Sequence, residues 1–252
     1  MRKIGILSVL LFACYLQLQA KVYLVSVGIA DYPGKENDLR ISDNDAKTIA
    51  KVFQATKDAF VTVLTNEDAS QSALLSTMHT AFEDAENDDA VILYFSGHGT
   101  PGSLVCHDGL LTYQHIFKML KGCKATRKII IADACYAGKM RTTQQQTNSY
   151  NSQNVMLFLS SRTNETSMET KYQNSMFTIF LERGLRGGAD VNKDRRITAR
   201  ELYDFVHKGV IEASGNKQHP VMWGKFDNNM TVIKWKRYAD KENKMSQLPS
   251  GS

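Results

Sequence analysis

Short runs of consecutive apolar residues recur along this chain and alternate with segments in which apolar residues return every three or four positions. Two runs, Ala90–Phe95 and Lys128–Ala132, are almost continuously apolar and rich in β-branched or aromatic residues, which is typical of strands buried on both faces. Between residues 42 and 55, by contrast, apolar residues fall at helical spacing. This alternation predicts an α/β fold with a mainly parallel central sheet flanked by helices.

The same pattern gives the order of the predicted elements. It predicts strands at Val22–Gly28, Phe60–Leu64, Ala90–Phe95, Lys128–Ala132, Val155–Leu159, Val221–Trp223 and Met230–Trp235. It predicts helices at Ser42–Ala55, Asp68–Ala85, Tyr113–Lys121, Phe177–Leu185 and Thr198–Glu212, and a hairpin around Leu104–Leu111. Together these elements make residues 21–236 one domain with a single sizeable core.

Two of the predicted strands end in turns of small residues that each carry one reactive side chain. The first turn is Ser96-Gly97-His98-Gly99, and the second is Asp133-Ala134-Cys135-Tyr136-Ala137-Gly138. Because chemistry in open α/β sheets gathers outside the carboxyl ends of the strands, we expect His98 and Cys135 at the same sheet edge. A thiol beside an imidazole forms a candidate nucleophile and base.

The residues of this pair suit the cleavage of an amide bond. The imidazole of His98 favours the thiolate form of Cys135 and can protonate the leaving amine. The backbone amides of Gly99 and Cys135 are candidates for an oxyanion hole, because glycine leaves room for the substrate carbonyl. Either reactive residue alone is more often packed or merely exposed, but the two motifs together favour catalysis.

These two motifs resemble those of the caspase-like cysteine peptidases, in particular the bacterial caspase homologues and the metacaspases. The segments Val25–Tyr32, Ser42–Ala46 and Ser160–Arg162 extend the resemblance over most of the chain. The resemblance implies a caspase-like three-layer sandwich and a catalytic dyad of His98 and Cys135. It also implies protein or peptide substrates and chemistry that requires no cofactor.

The resemblance also implies which residues bind the substrate side chain. Asp45, Ser96 and Asp133 match residues of the metacaspase specificity pocket, whereas caspases that cut after aspartate have a neutral glutamine at the position of Asp133. Carboxylates attract a guanidinium or ammonium group, so cleavage after Arg or Lys is expected. Two alternatives remain open: Asp45 as a helix cap, and an acidic preference if Arg40 and Arg162 line the pocket.

The segment 139–154 interrupts the alternation because it is polar, rich in Gln and Asn, and almost free of apolar residues. Such a composition predicts a mobile surface loop directly after the proposed nucleophile. Lys139 and Arg141 lie within it, and an enzyme that cuts after basic residues can cut itself there. Self-processing and an uncut, solvated loop are equally compatible with the sequence.

A second motif, residues 190–201, has oxygen ligands at the spacing of an EF-hand loop. The predicted calcium ligands are Asp190, Asn192, Asp194, the carbonyl of Arg196, Thr198 and Glu201. Arg195 occupies the position where such loops have glycine for a sharp turn, and the nearby positive charges oppose a cation. The alternatives are a calcium site and a vestigial turn that starts the following helix.

The two ends of the chain differ in composition from the domain. Met1–Ala20 has a basic start, an apolar run too short for a membrane span and a small residue at its end, which predicts a signal peptide and export. A lipid anchor at Cys14 is a minor alternative, and no transmembrane segment is expected in the mature chain. Residues 237–252 are predicted to be a flexible tail.

Composition narrows the remaining functions. The net charge of +5 is modest and the sequence has no basic cluster, so nucleic acid is not an expected partner. Cys106 and Cys123 are predicted either to pair or to be two buried thiols. A catalytically silent binding module, and a metal-binding domain that uses His98, His107 and Cys135, remain as other classes. Nothing in the sequence specifies an oligomeric state.

Overall fold

The computed structural model describes residues 20–134, 154–161 and 173–235 of the 252-residue chain. Its strands are β1 (Val22–Gly28), β2 (Ala59–Thr65), β3 (Ala90–Gly97), β4 (Gly99–Thr100), β5 (Ser103–Cys106), β6 (Gly109–Thr112), β7 (Arg127–Ala134), β8 (Val155–Leu159), β9 (Arg196–Thr198), β10 (Val221–Trp223) and β11 (Thr231–Lys234). Its α-helices are α1 (Ser42–Gln54), α2 (Gln71–Phe82), α3 (Tyr113–Gly122), α4 (Met176–Arg183) and α5 (Ala199–Ala213).

A six-stranded sheet in the order β10-β8-β7-β3-β1-β2 forms the centre of the fold. Its strands are parallel except for β10, which runs antiparallel to β8 at the edge. Two small antiparallel sheets, β4-β5-β6 and β9-β11, lie outside it. The predicted fold class is confirmed by this mainly parallel sheet.

Helices cover both faces of the sheet, and the sheet divides the core into two layers. Leu93 of β3 belongs to the layer that contains Leu74 and Phe117 from α2 and α3. The neighbouring residue Ile92 points to the opposite face, where the layer contains Phe53 of α1 and residues of α4 and α5. Because β3 has helices on both faces and strands on both sides, all of its residues are buried.

Two strands extend further than their apolar runs indicated. β3 continues through Ser96 and Gly97, and β7 continues through Asp133 and Ala134, so Ser96 and Asp133 are strand residues and their prediction as turn residues was wrong. The reason is pairing, because Ser96 lies opposite Asp133 on one side and Gly28 on the other. Parallel ladders on both sides satisfy the backbone although the side chains are polar.

The cysteines of the described residues are free thiols. Cys106 is buried in the core, and the half-buried Cys123 places its sulfur 3.6 Å from the carbonyl oxygen of Phe82. The disulfide alternative was therefore wrong, and these residues act as small apolar side chains.

Both ends of the chain in the predicted domain division lie outside the described residues. Residues 1–19, which make up most of the predicted signal peptide and include Cys14, lie there, and so does the tail 237–252. Among the helices that the structure describes, none combines the length and the apolar character needed to cross a membrane. The division into 1–20, 21–236 and 237–252 stays a prediction.

Candidate active site

His98 directly follows β3 at the carboxyl edge of the sheet, where its side chain is half-buried. Its Nε2 lies 2.7 Å from the carbonyl oxygen of Asn37. A carbonyl only accepts hydrogen bonds, so Nε2 carries a proton and donates it. In the neutral imidazole this leaves Nδ1 with the free lone pair, which makes Nδ1 the nitrogen that can accept a proton.

The loop that follows β1 holds the carbonyl of Asn37 in place. The loop is closed by a bond from the amide of Leu39 to the carbonyl of Ala30, at 2.8 Å. Within it, Lys35–Asn37 form a 3₁₀ turn that starts after Gly34, whose φ of 90° is a conformation that favours glycine. The sequence analysis missed Asn37, because its contribution is a backbone oxygen that any residue type supplies.

Cys135 lies outside the described residues, as do Lys139 and Arg141. The structure describes the chain up to Ala134, the last residue of β7, which pairs with Gly97 of β3. His98 and Cys135 are therefore each the next residue in the chain after one member of this pair. The dyad itself stays a prediction.

Gly99, the predicted oxyanion donor, begins the short strand β4 opposite Leu104 of β5. The amide of Val105 donates to the carbonyl of His98 at 3.0 Å. Because this bond joins the neighbouring residues, Gly99 and Leu104 form a non-hydrogen-bonded pair of the antiparallel ladder. The ladder therefore does not use the amide of Gly99.

The three predicted substrate-binding residues lie together on one face of the sheet. Ser96 of β3 donates from Oγ to Asp45 Oδ2 at 2.9 Å, and Ser96 is also the cross-strand neighbour of Asp133. Asp45 is fully buried near the start of α1, which packs closely on β1 because Gly28 has no side chain. A Cβ at position 28 would lie 2.2 Å from the carbonyl oxygen of Ser42.

The side chain of Asp45 does not cap α1. No side-chain hydrogen bond caps that helix, and Asp45 Oδ1 instead accepts from Asn174 Nδ2 at 2.9 Å and from the amide of Ser175 at 3.0 Å. The alternative role of Asp45 as a helix cap was therefore wrong. Its carboxylate faces the segment before α4 and not the free amides of its own helix.

Ser175 connects the two buried carboxylates. Its amide donates to Asp45, and its hydroxyl donates to Asp133 Oδ2 while accepting from the amide of Thr178 at 3.0 Å. The hydroxyl of Thr178 lies 3.5 Å from the same Asp133 oxygen and 2.6 Å from the hydroxyl of Tyr94. The sequence analysis missed Ser175, whose only indication was a serine in front of an apolar helix.

Burial and a neighbouring charge make Asp45 difficult to ionise. Burial raises the pKa of Asp45 to about 7, the negative charge of Asp133 adds to the rise, and the hydrogen bonds from Asn174, Ser175 and Ser96 only partly oppose it. Burial, followed by the same two carboxylates, also raises the pKa of Tyr94. A cation that entered between the acids would stabilise their charged forms.

The EF-hand-like loop forms a compact turn at a different place in the fold. Asp190 accepts from the amides of Asp194 and Arg195, and Arg195 takes a φ of 67° where such loops have glycine. Glu201 forms a capping box with Thr198 at the start of α5. The described residues contain no group of three or more His, Cys, Asp or Glu side chains placed to hold a metal ion. Calcium binding stays a prediction.

This loop is far from the acid pair. Arg196 and Arg127 both bond to Thr231, which places the loop beside the first residue of β7. Asp133 is six residues further along β7, a separation of about 20 Å at the usual rise of a strand. The structure therefore does not bring the predicted calcium ligands close to Asp133.

Comparison with known proteins identifies the family. The family model of the caspase domain matches residues 22–230, which is most of the chain. This chain belongs to the caspase domain family. Membership supports cysteine peptidase activity in general and protein substrates, and it confirms the resemblance seen in the sequence. A search of curated proteins found no match.

Solved structures support the caspase-like fold. Caspase-1 from Spodoptera frugiperda superposes on this caspase domain with a TM-score of 0.64 and 16% identity, over 83% of this chain and 88% of the insect protein. A protein from Geobacter sulfurreducens gives a TM-score of 0.61 at 16% identity, over 82% of this chain and 94% of that protein. At such identities the likeness concerns the fold alone.

Proposed function

We propose that this caspase domain is an exported cysteine endopeptidase that uses His98 and Cys135 and cleaves after Arg or Lys. The observation that carries the proposal is the pairing of Gly97 with Ala134 at the carboxyl edge of the sheet. His98 and Cys135 each follow one of these paired residues in the chain, and chemistry in parallel sheets gathers at that edge.

The proposed reaction uses the free nitrogen of His98. The Cys135 thiol gives its proton to Nδ1 while the sulfur forms a bond to the scissile carbonyl carbon. The amides of Gly99 and Cys135 stabilise the oxyanion. Nδ1 then gives the proton to the amine, which leaves as the C–N bond breaks, and a thioester remains. Water, activated by Nδ1, hydrolyses the thioester and regenerates the thiol.

The proposed specificity rests on the buried acids. Asp45 and Asp133 both accept hydrogen bonds from Ser175, and Ser96 donates to Asp45. The two carboxylates therefore lie close to each other. A guanidinium or ammonium group supplies the positive charge that favours ionisation of both acids. A substrate carboxylate would add a third negative charge in a buried setting, which disfavours cleavage after aspartate.

A profile of peptide cleavage tests activity and specificity together. We expect matched substrates with Arg or Lys before the scissile bond to be cleaved, and the substrate with Asp in that position to be cleaved at least about a hundredfold more slowly. Cys135→Ala removes the nucleophile and is expected to abolish cleavage, while chelators leave it unchanged. A preference for Asp would overturn the proposed pocket, and cleavage by Cys135→Ala would overturn the dyad.

Export is the part of the proposal that concerns the amino terminus. It is supported by Arg2 and Lys3 in front of an apolar run and by Ala20 before the first strand. Sequencing the amino terminus of the protein recovered from the producing cell tests it. We expect the mature chain to begin at Lys21, and a start at Cys14 would instead indicate a lipid anchor.

A further inference from the structure

We propose that the hydroxyl of Tyr32 is a positioning group for catalysis, because it fixes the backbone of His98 at the end of β3. This inference rests on the proposed function of His98. Tyr32 belongs to the loop after β1, which also supplies the carbonyl of Asn37. One loop therefore holds His98 at two points, its backbone through Tyr32 and its imidazole through Asn37.

The contacts of Tyr32 with His98 involve both backbone and ring. The amide of His98 donates to Tyr32 Oη at 2.9 Å, and Tyr32 Oη donates to the carbonyl of Val105 at 3.1 Å. The amide of Val105 in turn donates to the carbonyl of His98 at 3.0 Å. The phenol ring lies 4.8 Å from the imidazole, at 46°. The hydroxyl thus closes a ring of three hydrogen bonds around the residue that carries the base.

Gly97 provides the space for this hydroxyl. A Cβ at position 97 would lie 2.6 Å from Tyr32 Oη and 3.1 Å from the ring of Phe95. Real Cβ atoms do not approach other atoms to 2.6 Å, so any larger residue would move the phenol away from the His98 amide. The glycine before His98 is therefore explained by Tyr32, in addition to any role beside the substrate.

Other groups hold Tyr32 itself in place. Its amide donates to Asp38 Oδ1 at 3.1 Å, and its side chain is buried in the core layer of α2 and α3. Burial raises the pKa of Tyr32, so the phenol keeps its proton throughout the working range of a peptidase. A neutral phenol both accepts from the amide and donates to the carbonyl.

The chain offers a matched control. Tyr113 is also a fully buried tyrosine of the same core layer, but within the described residues its hydroxyl has no hydrogen-bond partner. Tyr113→Phe therefore removes a buried hydroxyl without breaking a hydrogen bond, whereas Tyr32→Phe leaves the His98 amide without its acceptor. Both changes keep the ring and its packing.

The test measures kinetics and thiol reactivity in Tyr32→Phe, Tyr113→Phe and the unchanged protein. We expect Tyr32→Phe to lower kcat about tenfold with KM changed less than about twofold, because the base is misaligned while the pocket is intact. Alkylation of Cys135 by iodoacetamide, followed on its peptide by mass spectrometry, should shift to higher pH, because the imidazole no longer stabilises the thiolate. Tyr113→Phe should leave both unchanged.

A second variant reaches the same contact from the other side. Gly97→Ala pushes on Tyr32 Oη and should show the same loss of kcat with unchanged KM, which keeps the test valid if Tyr32→Phe folds poorly. Unchanged kcat and alkylation profile in Tyr32→Phe, or equal losses in Tyr113→Phe, would overturn the inference. If the unchanged protein cleaves no peptide but its alkylation profile still depends on Tyr32, the peptidase proposal fails and the positioning role stands.

Discussion

The hydroxyl of Ser96 donates a hydrogen bond to the carboxylate of Asp45 across 2.9 Å, although the two residues are 51 positions apart in the chain. Ser96 is near the end of a buried strand and Asp45 is in the first turns of α1, so the bond ties a helix to the carboxyl edge of the sheet. The same carboxylate is tied through Ser175 to Asp133. This buried acid pair is the feature from which most of our predictions derive.

Asp45→Asn should remove a pH dependence of stability. A folded-state pKa raised from 3.8 to about 7 means that Asp45 favours folding at low pH and that this stabilisation is lost as pH rises from about 4 to 7. In thermal unfolding, the two proteins should therefore be equally stable near pH 4, and the variant should be the more stable one at pH 8, by up to about 4 kcal/mol. Parallel pH profiles of the two proteins would contradict this assignment.

The same change should weaken cleavage after arginine. With Asp45 ionising near neutrality, kcat/KM of the unchanged enzyme for Arg substrates should rise as pH increases through about 7. Asp45→Asn should lower kcat/KM at pH 8 by about a hundredfold, because a buried charge partner is lost. Asp43→Asn is the control, because Asp43 lies two residues earlier in α1 and pairs with Lys47 at the surface. The Asp43→Asn enzyme should cleave normally.

Ser175→Ala separates helix capping from substrate binding. Ser175 and Ser70 both cap a helix, accepting from Thr178 and Ala73 at 3.0 and 3.1 Å, but only Ser175 also donates to an acid of the pair. Each alanine variant should lose about 1 kcal/mol of stability in denaturant titrations. Only Ser175→Ala should raise KM severalfold for Arg substrates, because Asp133 loses a donor to its charged form. Equal kinetics in both variants would show that Ser175 only caps its helix and does not affect substrate binding.

Self-processing in segment 139–154 should depend on Cys135. The unchanged protein should yield an amino-terminal fragment that ends at Lys139 or Arg141 and a second fragment that begins at Met140 or Thr142. Cys135→Ala should stay whole, as measured by intact mass after incubation. A double change of Lys139 and Arg141 to alanine should keep the chain uncut while cleaving peptides normally. Identical fragments from the Cys135→Ala protein would show that another protease makes the cut.

Calcium should not act on the chemistry. The EF-hand-like loop is about 20 Å along β7 from Asp133, so kcat/KM should be the same in calcium and in chelator. Calorimetric titration of the unchanged protein and of Glu201→Gln then decides whether the loop binds the ion. Heat that Glu201→Gln loses identifies a calcium site, whereas no heat in either protein leaves Glu201 as the capping-box partner of Thr198.

Sequence alone indicated the family, the class of the fold and the sheet edge at which His98 lies. His98 and Cys135 follow apolar strands and are flanked by small residues. Such local patterns can be recognised in a sequence without any knowledge of tertiary contacts. Helix α2 begins after Ser70 for the same kind of reason, a side chain that accepts from the amide of Ala73. Family comparison then agreed with what these motifs had indicated.

Only the tertiary structure decided which groups hold His98 and the two acids in place. The carbonyl of Asn37 and the hydroxyl of Tyr32 meet His98 from more than 60 positions away, and Ser175 meets Asp45 across 130 positions. Ser96 and Asp133 were misassigned to turns because polar residues seldom continue an apolar strand. Contacts of this kind depend on packed backbones and single polar atoms, which leave no periodic trace in a sequence.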